Sequence, residues 1–83
     1  MTGVAIQSLP GGASDARRLA ARLGISHQEI ALHGFPDGEI RVTVGAAAAT
    51  TIIYASLDQP NDKLLALLFA AEALRRTGAR RLV

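Results

Sequence analysis

The chain has 83 residues, a formal net charge of +2 and a hydrophobic content of 49%, enough for one small core and too little basic excess to argue for nucleic acid. The absence of cysteine excludes disulfide frameworks, thiolate zinc centres and cysteine nucleophiles, and His27 and His33 alone do not make a histidine-rich metal site. The longest apolar block, Leu64 to Ala71, is far too short for a bilayer, and Met1-Thr2-Gly3 does not begin a signal peptide, so a cytoplasmic protein with no membrane partner is expected.

Val4-Ala5-Ile6-Gln7-Ser8-Leu9 reads as a buried first strand ended by the turn Pro10-Gly11-Gly12. The glycine pair lacks the spacing and the Lys-Ser/Thr ending of a phosphate loop. Ser14 is the expected cap of a helix in which Ala16, Leu19, Ala20 and Leu23 form the apolar stripe, with Asp15 in the first turn and Gly24 past the end. Arg17, Arg18 and Arg22 fall on its other faces. Glu29 to His33 is the next expected strand, with His33 a satisfied polar residue. Ile40-Arg41-Val42-Thr43-Val44 follows, with Arg41 and Thr43 on the face opposite Ile40, Val42 and Val44.

Between these two strands lies Gly34-Phe35-Pro36-Asp37-Gly38-Glu39. Proline presets φ, and Asp-Gly favours a tight reversal because glycine tolerates positive φ. A plain hairpin turn accounts for that much. Phe35 is large and apolar where turns are usually polar, and it stands beside two carboxylates. An exposed ring with two acceptors could stack a planar base and accept from its amino group or from a ribose hydroxyl. The carboxylates would repel phosphates, so such a site faces the base and sugar end of a nucleotide.

A small-residue connection, Gly45 to Ala49, leads to Thr50-Thr51-Ile52-Ile53-Tyr54-Ala55, a strand expected to be covered on both faces. Ser56 to Pro60 is the exit loop, and Asn61 the expected cap of a helix from about Asp62 to Thr77. Leu64, Leu67, Leu68, Ala71 and Leu74 form its main stripe, but Leu65, Ala66, Phe69 and Ala70 make it apolar almost all round. Such a helix is expected to bury more than one side, against the sheet and against a neighbouring subunit or domain. Glu72 and Arg76 are spaced to pair, Gly78 ends the helix, and Arg80 to Val83 begins a strand with no room to pair. The order of elements fits the opening of an α/β domain with a mainly parallel sheet flanked by helices, and the chain is expected to be the N-terminal segment of something larger.

Phe35-Pro36-Asp37-Gly38-Glu39, followed by Arg41 and Val42, resembles the Phe-x-Asp-Gly-Glu segment of ribose-phosphate pyrophosphokinases. Ser56 to Leu64 and then Glu72-Ala73-Leu74-Arg75-Arg76 are similar to that family's strand exit and following helix. Tyr-Ala-Ser stands where Gln-Ser is usual, Glu72 where Asp is common, and Ala46 to Ala49 lacks charged residues often found there. The resemblance implies a partial phosphoribosyltransferase-like domain over residues 1–83, with the rest of that domain and a second one missing. It implies an enzyme that transfers the pyrophosphoryl group of ATP to ribose 5-phosphate, yielding phosphoribosyl pyrophosphate and AMP, in a homo-oligomer. Phe35 would stack on adenine, Asp37 and Glu39 would accept from base or ribose, and Gly38 would permit the backbone turn. The magnesium ligands and the catalytic lysine and arginine loop would lie beyond Val83, leaving these residues inactive alone. The alternatives are a non-catalytic relative and a small interaction module that docks through its apolar helix.

Overall fold

The computed structural model describes residues 3–37, 40–56 and 60–83, the side chains of residues 60–63 aside. In chain order the elements are β1 (Val4–Ser8), α1 (Ala13–Leu23), β2 (Ser26–Glu29), β3 (Ala31–Gly34), β4 (Ile40–Thr43), β5 (Thr50–Tyr54), α2 (Pro60–Arg76) and β6 (Arg81–Leu82). Four strands form a sheet in the order β2-β1-β5-β6, with each neighbouring pair parallel. β3 and β4 form a separate antiparallel ribbon. The expected α/β architecture with a mainly parallel, helix-flanked sheet is the one found.

Neighbouring residues on a strand point to opposite faces, and β5 shows what covers each. Ile52 joins Ile6, Ala16 and Ala20 under α1. Ile53 joins Leu9, Ile30, Ala66 and Ala70 under α2, where Ile40, Val42 and Val44 of the ribbon side also pack. Ile6, Leu9, Ile30 and Leu74 are among the largest fully buried side chains. Each contributes about 1.5–3 kcal/mol through burial.

α1 begins at Ala13 with Gly12 as its N-cap and no side-chain cap, so Ser14 lies inside the first turn rather than before it. Gly12 is closely approached: a Cβ there would stand 3.0 and 3.1 Å from ring carbons of Tyr54, so a larger residue at this position would require that ring to shift. Gly24 ends α1 in the left-handed conformation as expected, and Asp15 pairs with Arg18 within the first turns. The helix buries Ala16 and Ala20 but leaves Leu19 and Leu23 exposed, because its small side rests on the sheet.

The single strand expected over Glu29–His33 is two strands with a break. Ser26–Glu29 adds to β1 in parallel, while Ala31–Gly34 turns away to pair with β4. Ile30 sits at the bend, fully buried, its N–H donating to the Ser8 carbonyl at 2.7 Å. Ser-His-Gln-Glu carries no apolar alternation because it contributes mainly its backbone to the outer position of this sheet.

α2 starts at Pro60, so Asn61 lies inside the helix and not at its boundary. Proline has no N–H to lose in a first turn, and its fixed φ suits that position. The exit loop assigned to residues 56–60 lies outside the described residues at 57–59. The inward side of α2 coincides with the leucine stripe only in part: Leu74 is buried and Leu67 packs against the core, but Ala66 and Ala70 are buried with them while Leu64, Leu65, Leu68 and Phe69 are exposed. A helix apolar nearly all round has no period to select an inward side, and the alanine row lets the ribbon and sheet approach closely. Glu72 and Arg76 pair on the exposed surface at 3.8 Å. After Gly78, at φ 117°, β6 does pair, matching Thr50 with Arg81 and Thr51 with Leu82.

The alanine-rich connection has no side chains with which to anchor itself, and buried polar residues of the sheet do it instead. Gln7, almost fully buried, donates from Nε2 to the carbonyls of Gly45 (3.2 Å) and Ala46 (3.3 Å). Its Oε1 accepts from the Gly45 N–H at 3.0 Å. Thr51 Oγ1 donates to the Ala48 carbonyl at 2.9 Å. Replacing Gln7 by leucine keeps the bulk and strands three backbone groups, so Q7L should lower stability by about 1–3 kcal/mol. Urea denaturation of the purified chain measures this, and an unchanged midpoint would show that the clamp carries no stability.

Candidate functional site

The ribbon has two unlike faces, and its register decides which residues share each. Gly34 pairs with Ile40, His33 with Arg41, Leu32 with Val42 and Ala31 with Thr43. Ile40 and Val42 turn inward toward α2, whereas His33, Arg41 and Thr43 are exposed. The turn that joins the strands therefore projects from a ribbon whose back is packed and whose front is open.

Phe35 stands at the end of this open front, two residues beyond His33, and is 36% exposed. The His33 and Phe35 rings meet edge to face, with centroids 4.4 Å apart and planes at 71°. The Arg41 guanidinium carbon lies over the Phe35 ring, 5.7 Å from its centroid, within the range of a cation–π contact. Asp37 is exposed in the same turn. Gly38 and Glu39, the other two residues expected at the site, lie outside the described residues. The geometry thus provides a supported aromatic surface with a carboxylate two residues away.

His33 is more than the satisfied polar residue read from the sequence, and Arg41 had no partner assigned there. The signal was available in the spacing. If Gly34 and Ile40 close the turn, the next pair outward is His33 with Arg41, and Phe35 shares the face of His33 by the alternation of a strand.

A shallow groove between β4 and α2 is lined by Ile40, Val42, Phe69, Glu72, Ala73 and Arg76. A second groove is lined by Pro10, Glu29, Ile30, Ala31 and Leu32. Neither brings together side chains suited to acid–base or nucleophilic chemistry. Ser8 Oγ and His27 Nε2 share a 2.7 Å hydrogen bond, but Ser8 is fully buried and offers no substrate access, so this pair joins β1 to β2. Among the described residues no cluster of three or more His, Asp or Glu side chains could hold a metal ion. No helix among them is long and apolar enough to cross a membrane.

The sequence matches a family model described as the N-terminal domain of ribose phosphate pyrophosphokinase, over residues 5–83. No curated protein matches the chain. The match runs from β1 through β6 and includes the ribbon, its aromatic turn and both helices. By that match, the chain belongs to the ribose phosphate pyrophosphokinase family, as its N-terminal domain.

Proposed function

We propose that this chain is the nucleotide-contacting N-terminal part of an enzyme that transfers the pyrophosphoryl group of ATP to the 1-hydroxyl of ribose 5-phosphate. The observation that carries the reading is Phe35, held exposed at the tip of the ribbon in a chain matched to this family over residues 5–83. Phe35 stacks on adenine, and Asp37 accepts from the base amino group or a ribose hydroxyl, with Glu39 in the same role. Gly38 allows the backbone to turn closely beside them. Two carboxylates near the base also keep the polyphosphate directed away from this turn.

The chemical step itself needs stabilisation of charge on the transferring group, which magnesium and cationic side chains supply in phosphoryl-type transfer. Among the described residues no cluster of His, Asp and Glu side chains could hold that ion. The role of this segment is binding and orientation. The protein acts in the cytoplasm, without nucleic-acid or membrane partners, and works as a homo-oligomer. Support for the last point is the exposed group Leu64, Leu65, Leu68 and Phe69 on α2, four large apolar side chains left facing outward on one helix. The same group is what favours the alternative of a purely associative module.

Three outcomes are expected. In the natural full-length protein, the double change Asp37→Ala and Glu39→Ala should raise the KM for ATP about tenfold or more, because each removes a charge-assisted hydrogen bond. Sedimentation should show its assembly intact, and an unchanged ATP dependence would favour the associative module. Residues 1–83 produced alone should release no AMP from magnesium-ATP and ribose 5-phosphate, and sustained release would overturn the assignment of catalysis to other residues. Leu68→Glu should dissociate the oligomer, seen as a lower mass by light scattering, whereas an unaltered mass would place the interface elsewhere.

A further inference from the structure

We infer that Arg41 is a positioning residue for the nucleotide, acting through Phe35 by fixing its ring from one face so that the base takes the other. The inference rests on the proposed stacking of adenine on Phe35. Its geometric basis is the guanidinium 5.7 Å from the ring centroid, together with the edge contact from His33 at 4.4 Å.

An exposed aromatic side chain on a turn ordinarily samples several rotamers, and a ligand that stacks on it must immobilise it. Here two neighbours on the same ribbon face hold the ring in place before any ligand arrives. Both neighbours come from the paired part of the ribbon, His33 from β3 and Arg41 from β4, where they oppose each other in the ladder. The ring direction is therefore set by strand register and not by the turn alone. The guanidinium also occupies the space over one face, which limits stacking to a single geometry. Arginine suits this role because its plane can lie against a ring while its charge stays hydrated. Asp37, on the same turn, contributes the opposite charge, so the site does not become a general anion trap.

The test uses the natural full-length protein and steady-state AMP release with ATP and ribose 5-phosphate varied separately. Arg41→Met retains length without charge and should raise the KM for ATP about two- to fivefold, the range of an exposed cation–π contact. The KM for ribose 5-phosphate and kcat should stay as in the parent, and urea denaturation should give the same midpoint. Arg41→Lys should recover part of the loss. The decisive comparison is with Phe35→Ala. If Arg41 acts through the ring, R41M adds nothing further to the ATP KM of F35A. If R41M raises the KM equally in both backgrounds, Arg41 contacts the nucleotide directly and the inference is overturned. A normal ATP KM for R41M beside a raised one for F35A overturns it as well, while leaving the nucleotide reading intact. A normal ATP KM for F35A overturns the nucleotide reading, and this inference with it.

Discussion

Two adjacent residues of one strand hold both ends of the ribbon that carries the site. At its entry, the Ile30 N–H donates to the Ser8 carbonyl. Beyond its exit, the Gly45 backbone is held by the Gln7 side chain through both its N–H and its carbonyl. β1 lies between β2 and β5 and is buried over Ile6, Gln7 and Ser8. Its backbone is already committed to two neighbours, so the extra ties fall to a strand-end carbonyl and a side-chain amide. A buried amide is tolerated in such a place only when its donors and acceptor are matched, and Gln7 matches them.

This arrangement answers a difficulty of architecture. A two-stranded ribbon is at best marginally stable alone. The present one gains its stability from contact: Ile40 and Val42 pack with Ala66 and Ala70 of α2, and Ile30 fills the angle between sheet and ribbon. The small residues on the inward side of α2 make that approach possible. They also explain why leucines remain outside. Where an alanine row faces a β-branched strand, the backbones come close, and the bulkier row must face away or find another partner.

The sequence is most legible where one element dictates its own environment. The β-branched run at Thr50 to Tyr54, the αL glycine at Gly24 and the alternation of Ile40 to Thr43 each follow from local chemistry, and each is found. Legibility fails where a choice belongs to the surroundings. Ser26–Glu29 becomes a strand because β1 offers an open side, which its polar side chains do not advertise. Gly12 takes the cap position expected of Ser14, and the Tyr54 ring, from far along the chain, packs close against it. The site divides in the same way. Phe35 is conspicuous in a polar turn, whereas the contacts of His33 and Arg41 with it follow from spacing only when the closing pair of the turn, Gly34 with Ile40, is known.

The position of Phe35 outside the parallel sheet has a mechanical consequence. Segments that open locally do so where buried contacts are few, and a ribbon tip is such a place. Both neighbours that steady the ring belong to β3 and β4, and those strands are tied to β1 at Ser8 and Gln7. The ring can therefore be exposed without its backbone being loose. Disturbing the β1 ties would shift His33 and Arg41 together, because they are one pair in the ladder, and the aromatic surface would turn with them. The orientation of the exposed ring is thus inherited from the most buried strand of the domain, which separates what a ligand can reach from what holds it in place.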